Sequence, residues 1–309
     1  MKMRMKNIVY CLTVLIAASF FLVTLSNFSG ESFAGSKASK EEKVLSRECK
    51  MLLLPEKFAD MKAAIKDFWY IVEKAGSDQG IKIKKIDGSD REYTQREVTF
   101  LDTKKFDLYK NSYILRRRVE DGDIDMTLKF RNPDIAVSSK ADVSPGPENH
   151  GKTAMDEDVV VKEKIFERIF SKSGKTTIKS DPEATVGAYA AVYPGISSLG
   201  IPEKTALYTV NGVKINETNV EYGKIHLTKN INATASFAIW QIEGNDEVFV
   251  AEFSYKYKYE DSPSEEELIL AHHVSDKFLG KLREGAKSWI AIGLTKTGMV
   301  YKFNASNAD

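Results

Sequence analysis

Basic side chains that could hold an anion recur at alternate positions in two short segments predicted to be β-strands. In residues 115–119, Arg116 and Arg118 share one face, because successive side chains of a strand point to opposite sides of the sheet. Residues 126–131 repeat the pattern, with an apolar face opposite the face that carries Thr127, Lys129 and Arg131. Clustered cations repel one another in a confined space, so this pattern predicts a site for an anion with several charges.

Acidic side chains alternate with apolar ones in three further segments. The residues that share the charged faces are Glu48 and Lys50, then Asp156 and Asp158, and finally Glu252, Ser254, Lys256 and Lys258. A sheet with its polar face in water explains any one of these strands. Five such strands, with two apolar helical stripes that need cover, favour a closed barrel whose charged face lines a tunnel.

The helices and loops around these strands are predicted from periodicity and from turn residues. Apolar residues three and four positions apart predict one amphipathic helix from Pro55 to Gly76. The Ser264-x-x-Glu267 capping box begins a second helix. Residues 132–152, which are rich in proline and glycine, predict a long loop or lid, and residues 181–195 contain a short helix. The Asn-Gly pair within residues 208–215 predicts a β-hairpin.

Composition limits the class of protein. The 309 residues are 42% hydrophobic and 29% charged, which is enough to build a large core. The 45 Lys and Arg residues nearly balance the 44 Asp and Glu residues, and the formal net charge is +1. No positive field of the whole molecule would therefore attract DNA or an acidic membrane.

The first 34 residues have the pattern of an export signal. Three basic residues among the first six precede an apolar run that continues to Leu25, and the small-residue pattern Ser32-Phe33-Ala34 follows. Cleavage near Ala34 predicts a periplasmic or extracellular protein, whereas the same run left uncleaved predicts a membrane anchor. Residues 35–45 are then a linker, residues 46–303 the folded domain and residues 304–309 a tail.

Taken in order, several of these motifs resemble those of the CYTH superfamily, also called triphosphate tunnel metalloenzymes. The segments that carry the resemblance are Ser46-x-Glu48-x-Lys50, Val98-Thr99-Phe100-Leu101-Asp102-Thr103, Leu115-Arg116-Arg117-Arg118, Thr127-Leu128-Lys129, Asp156-x-Asp158 and Glu252-x-Ser254. The resemblance covers about residues 46 to 260, and reaches Tyr301 if a last helix and a Thr295-Lys296-Thr297 strand are included. It implies an α+β fold, an antiparallel closed eight-stranded β-barrel that forms a tunnel, with helices packed outside.

The resemblance also implies a ligand, a cofactor and a role for each residue. Members bind triphosphate-containing molecules with Mg²⁺ or Mn²⁺; basic side chains hold phosphoryl oxygens and a carboxylate-bound ion positions a water. The residues implied in phosphate binding are Lys50, Arg116, Arg118 and Lys129, with Arg131, Lys256 and Lys258 as further candidates. The implied metal ligands are Glu48, Asp156, Asp158 and Glu252, and the implied catalytic residues are Glu48, Lys50 and Glu252.

Two positions depart from the pattern of the superfamily. Ser46 and Ser254 stand where members carry acids, which removes two hard anionic ligands and counts against a two-metal arrangement. Three functions remain open. The first is an exported, metal-dependent phosphohydrolase acting on tripolyphosphate or another triphosphate-containing substrate. The second is a non-catalytic binding protein for polyphosphate or another polyanion, and the third is a structural barrel whose charges face solvent.

Overall fold

The computed structural model describes residues 43–88, 91, 93–162, 165–293 and 295–303. The described residues all belong to one compact unit. The predicted signal, most of the predicted linker and the predicted tail lie outside the described residues. None of the helices in the described ranges is long and apolar enough to span a membrane.

Strands make up most of the described chain, with helices between some of them. The strands are β1 (Val44–Leu53), β2 (Ile83–Lys85), β3 (Tyr93–Asp102), β4 (Tyr113–Glu120), β5 (Asp123–Asn132), β6 (Gly151–Val161), β7 (Phe166–Ile178), β8 (Tyr208–His226), β9 (Asn232–Ile242) and β10 (Val248–Lys258). The helices are α1 (Met61–Asp78), α2 (Asp107–Lys110), α3 (Ile135–Lys140), α4 (Val186–Val192), α5 (Glu265–Gly285) and α6 (Lys296–Lys302).

Nine of the described strands close into a barrel. Their order is β8-β3-β4-β5-β7-β6-β1-β10-β9, and β9 pairs with β8 to complete the ring, while the short β2 pairs with β8 from outside it. β1 runs parallel to β6, and the other neighbours in the ring are antiparallel. The expectation of eight antiparallel strands is therefore wrong in number and in direction. A closed ring with an odd number of strands cannot alternate throughout, so at least one pair must be parallel.

Two long helices cover the outer face of one half of the barrel. The apolar stripe of α1 includes the buried residues Ile65, Phe68 and Val72. The ring centroids of Phe68 and of Phe253 in β10 are 5.3 Å apart. The predicted start of this helix at Pro55 is wrong, because Pro55–Phe58 forms a 3-10 turn and the side chain of Asp60 caps α1 at the amide of Ala63. The predicted start of α5 agrees with the structure, since the Ser264 hydroxyl accepts from the Glu267 amide. Apolar strand faces thus point outward, beneath helices.

The proline- and glycine-rich residues 132–152 contain a loop at residues 141–150, as predicted, but a helix precedes it and the segment packs on the barrel. They contain α3 and continue to Val143, which is fully buried against the outside of the barrel. The neighbouring Tyr193 is buried too, and its hydroxyl donates to the main-chain carbonyls of Met126 and Gly174. Burial of these apolar and aromatic groups holds the segment on the barrel wall.

The hairpin predicted at residues 208–215 is absent, because β8 runs through these residues without reversing direction. Asn211 and Gly212 have positive φ values of 51° and 69°, but they form a bulge, and β3 pairs with β8 on both sides of it. The Asn211 side-chain amide donates to the carbonyls of Val300 and Tyr301 in α6. The bulge therefore ties the last helix to the barrel.

An apolar cluster fills one end of the barrel. It joins Leu52, Phe100, Ile114 and Trp240 from the strands to Val300 and Tyr301 of α6, all of them buried. The strand predicted at Thr295-Lys296-Thr297 is wrong: the Thr295 hydroxyl accepts from the Gly298 amide and caps α6, which begins at Lys296. This arrangement places Lys296 beside the barrel interior.

Candidate functional site

The charged faces of the strands enclose a cavity of about 270 Å³ inside the barrel. Nine basic and five acidic side chains line it among the described residues. The basic residues are Lys50, Arg96, Arg116, Arg118, Lys129, Arg131, Lys175, Lys256 and Lys296; the acidic residues are Glu48, Asp156, Asp158, Glu217 and Glu252. The lining thus carries an excess of four positive charges when all of these groups are ionised.

Strands β4 and β5 supply four of the cavity's cations. Arg116 and Arg118 point inward from β4, and Arg116 Nη2 donates to the Thr127 hydroxyl of β5 at 3.3 Å. Arg117, which lies between them in the sequence, points outward and forms a two-pronged ion pair with Asp181 at 2.7 and 2.9 Å. Because the alternation depends only on strand geometry, neighbouring arginines have entirely different environments.

Lys50 connects two carboxylates on the wall formed by β1 and β6. Glu48 and Asp158 are register partners on these parallel strands. Lys50 Nζ lies 2.7 Å from Asp158 Oδ1 and 3.1 Å from Glu48 Oε2. Burial alone would raise the pKa of Asp158, but the charges of Lys50, Lys129 and Arg131 hold it well below its usual range. Asp158 is therefore ionised and committed to protein cations.

Several cavity cations lack the countercharge that would stabilise them. Burial, reinforced by Arg118, lowers the pKa of Arg116 to about 9, and burial together with Arg131 and Lys50 lowers that of Lys129 to about 7. The Nε atoms of Arg116, Arg118 and Arg131 are buried and have no hydrogen-bond partner among the described residues. Each of these atoms is a donor without an acceptor, which is costly unless a ligand or water supplies one.

Four charged residues of the cavity were not predicted from the sequence. Arg96 of β3 and Lys175 of β7 face inward, but each is a single basic residue, without the run of basic residues that marks β4. Glu217 was missed because the predicted hairpin ended at residue 215, whereas β8 continues beyond it, and Lys296 because it was placed in a strand rather than at the start of a helix. The alternation of side chains between the two faces of a strand, applied to residues 93–100 and 171–175, could have placed Arg96 and Lys175 on the inward face.

Glu217 balances the arginines on the opposite wall. Its Oε1 lies 3.2 Å from Arg96 Nη1 and 3.4 Å from Arg118 Nη2, and its Oε2 accepts from Trp240 Nε1 at 2.6 Å. Burial opposes ionisation, but Lys296 and Arg118 outweigh it and lower the pKa of Glu217 to about 2. Glu217 is therefore a permanent anion that orients the guanidinium groups around it.

Two residues singled out in the sequence lie away from the cavity. Lys258 is exposed at the end of β10, where its Nζ is 3.1 Å from Glu260, and it does not line the cavity. The lining ends before this position because Lys258 is the last residue of the strand. Asp102 instead accepts from the amides of Thr103, Leu108 and Tyr109, and so holds the chain around α2.

The carboxylates of the cavity do not fit a preformed divalent-metal site. Within the described residues, no group of three or more His, Cys, Asp and Glu side chains is placed to hold a metal ion. Glu252 lies opposite Leu52 in the register, whereas Glu48 lies opposite Lys256, so these two implied ligands are four positions apart along the strands. Each carboxylate is also paired with a lysine or arginine of the cavity. Mg²⁺ and Mn²⁺ require several oxygen ligands at one point.

No protein-family model matches the chain, and no curated protein matches it. Among solved structures, a candidate adenylyl cyclase from Hippeastrum, described as having a dominant triphosphatase activity, is 11% identical with a TM-score of 0.43, covering 84% of this chain and 95% of that one. A candidate adenylate cyclase from Bacillus halodurans is 15% identical with a TM-score of 0.38, covering 82% and 96%. A protein from Pyrococcus horikoshii is 13% identical with a TM-score of 0.30, covering 77% and 89%. These values are low, so what the cavity binds has to be inferred from its own side chains.

Proposed function

We propose that the barrel cavity binds a triphosphate group or a short polyphosphate, as the resemblance to the triphosphate tunnel superfamily implies. The observation that carries this proposal is the excess of cations over carboxylates in an enclosed space. The buried, unpartnered Nε atoms of Arg116, Arg118 and Arg131 add hydrogen-bond donors that lack acceptors. A compact anion with several charges supplies both the countercharge and the acceptors.

The kinds of side chain favour phosphoryl oxygens over other anionic groups. Guanidinium groups present planar pairs of donors that match phosphate geometry, and four arginines line the cavity among the described residues. The cavity is also enclosed by strands on all sides, which excludes a nucleic-acid duplex and selects a small molecule. Arg116, Arg118 and Lys129 are therefore proposed to hold the phosphoryl oxygens, with Lys175 and Arg131 beside them.

Removal of one inward arginine tests the proposal. Arg116→Ala is expected to weaken the binding of tripolyphosphate about 10- to 100-fold, because a charge-assisted hydrogen bond is worth about 1.5–3 kcal/mol. Arg117→Ala is the matched control, since Arg117 faces outward and pairs with Asp181. Calorimetry gives the affinities, and tripolyphosphate should also raise the melting temperature of the unaltered protein. Equal loss in both variants, or no binding at all, would contradict the proposal.

Hydrolysis of the bound anion, with Glu48, Lys50 and Glu252 as catalytic residues, is the second candidate. The observation that favours it is that Glu48 and Asp158 lie side by side and point into the cavity, where they could orient a water. The test is release of phosphate from tripolyphosphate in the presence of Mg²⁺ or Mn²⁺. Phosphate release that Glu48→Gln abolishes would establish a hydrolase. Binding of tripolyphosphate without phosphate release would indicate a non-catalytic binding protein.

A further inference from the structure

The place that a divalent ion would take between Glu48 and Asp158 is filled by an ammonium group of the protein. The two carboxylates are register partners, and Lys50 Nζ is within 3.1 Å of an oxygen of each. The second oxygen of Asp158 accepts from the Ser171 hydroxyl at 2.7 Å. An ion that bridged this pair would have to displace Lys50 from both carboxylates at once.

The side chains nearest to this point offer no third anionic ligand. The register partner of Lys50 on β10 is Ser254, and Ser46, two positions before Glu48, donates its hydroxyl to Asp156. A neutral hydroxyl is a weaker ligand for Mg²⁺ or Mn²⁺ than a carboxylate. The ligands at this point are therefore two carboxylates already paired with Lys50, rather than a set of free oxygen atoms around an open position.

Glu252 is held apart from the Glu48–Asp158 pair. It lies opposite Leu52, two positions further along β1 than Lys50, and its Oε1 is 2.8 Å from Lys296 Nζ. Glu48 and Asp158 thus share one lysine, whereas Glu252 pairs with another at a different height in the cavity. Among the described residues, Arg116 and Lys175 of the cavity form no ion pair with a carboxylate and remain available to an anion.

We propose that the cavity binds its polyanion without a divalent cation, and that the ammonium group of Lys50 replaces the bridging metal ion. This inference rests on the proposed binding function, and it specifies how that binding works. The pKa of Lys50 agrees with the geometry: burial opposes its charge, but Asp158 and Glu48 raise its pKa above the ordinary value.

The first test compares binding of tripolyphosphate to the full chain in EDTA and in Mg²⁺. We expect binding in EDTA, and no tightening by Mg²⁺, because Mg²⁺ only competes with the protein for the anion. Manganese alone should give no binding signal in electron paramagnetic resonance. Binding that appears only with Mg²⁺ would overturn this inference and leave the proposed function intact. If folded protein fails to bind under every condition, the proposed function fails, and the inference fails with it.

The second test uses a variant for which metal-free and metal-bridged binding predict opposite changes in the affinity for tripolyphosphate. Glu48→Gln removes one negative charge from the cavity and releases Lys50 from one partner, so metal-free binding of tripolyphosphate should tighten severalfold. If a metal ion held by Glu48 bridged the anion, the same variant would bind more than about tenfold more weakly. Weaker binding of that size would overturn the proposal.

The third test removes the internal cation itself. Lys50→Met removes the cation nearest to both Glu48 and Asp158, so the variant should acquire Mn²⁺ binding, which relieves the repulsion between the two carboxylates. Lys175→Met is the matched control, because Lys175 also lines the cavity and, among the described residues, forms no ion pair with Glu48 or Asp158. This variant should weaken tripolyphosphate binding without creating a Mn²⁺ site. Manganese binding by the unaltered protein as tight as by Lys50→Met would contradict the assignment of Lys50.

Discussion

Lys129 shows how an enclosed cavity changes the chemistry of a single side chain. Its Nζ is 3.9 Å from Asp158 Oδ2, but Lys50 lies much closer to that carboxylate, and Arg131 adds a further like charge. Burial is the largest cause of its pKa near 7, with Arg131 and Lys50 contributing. In the free protein this group therefore titrates near neutral pH, unlike an ordinary lysine.

The titration of Lys129 predicts how the binding of tripolyphosphate depends on pH. A bound polyanion favours the charged amine, so the pKa of Lys129 rises in the complex and binding takes up a proton above about pH 7. The contribution of Lys129 to affinity is fully present below about pH 7 and declines by up to about tenfold per pH unit above it. Calorimetry in two buffers of different ionisation enthalpy measures this proton uptake.

Lys129→Arg is the control for this pH dependence. Its guanidinium stays charged across the range, so the variant should lose the part of the pH dependence that belongs to Lys129. Titration of tripolyphosphate itself is common to both proteins and cancels in the comparison. The same slope in both proteins would show that another group is responsible.

Strand β8 contributes to several features of the molecule at the scale of the element. It carries Glu217 into the cavity, holds α6 through Asn211, and passes beneath α1 at Gly223. A side chain at Gly223 would meet the ring of Trp69 in α1 and would lie 2.7 Å from the Lys84 carbonyl of β2. The close approach of helix and strand therefore requires a glycine at this position.

A pair of Gly→Ala substitutions tests this packing. Gly223→Ala is expected to lower the free energy of unfolding by about 1–3 kcal/mol, because backbone and ring must move apart. A Cβ added at Gly280 in α5 would meet no atom within 4 Å. Gly280→Ala should therefore raise the free energy of unfolding by about 0.5–1 kcal/mol, because alanine has the higher helix propensity. Urea denaturation measures both. An unchanged stability in Gly223→Ala would show that α1 does not approach β8 closely.

The strands that line the cavity direct charged faces inward and apolar faces outward, the reverse of an ordinary soluble sheet. Cys49, Tyr255 and Tyr257 are buried on the outer face of the barrel, beneath α5, while Lys50 and Glu252 on the same strands face the cavity. The third possibility raised by the sequence, charges that face solvent, does not apply to the strands that form the cavity. The net charge of +1 does not reveal this separation of charged and apolar faces.

We propose export as the cellular context of this fold, on the sequence pattern of residues 1–34 alone. In an export-competent host, the mature protein is expected to begin near residue 35, and mass spectrometry of the N-terminus measures this. Leu15→Arg, which places a charge within the apolar run, should prevent processing. An intact N-terminus recovered from membranes would support the anchor instead, and one recovered from the cytosol would contradict export.

The sequence by itself determined which side chains of β1, β4, β5, β6 and β10 share a face, and it predicted the cap and the apolar stripe of α5. Both depend on local periodicity and on neighbours within one turn or one strand. Only the tertiary structure decided that nine strands close the ring, that β8 does not turn at Asn211, and that Lys50 lies between Glu48 and Asp158. These features depend on the register between strands as far apart in sequence as β1 and β6, and closure of the barrel selects that register.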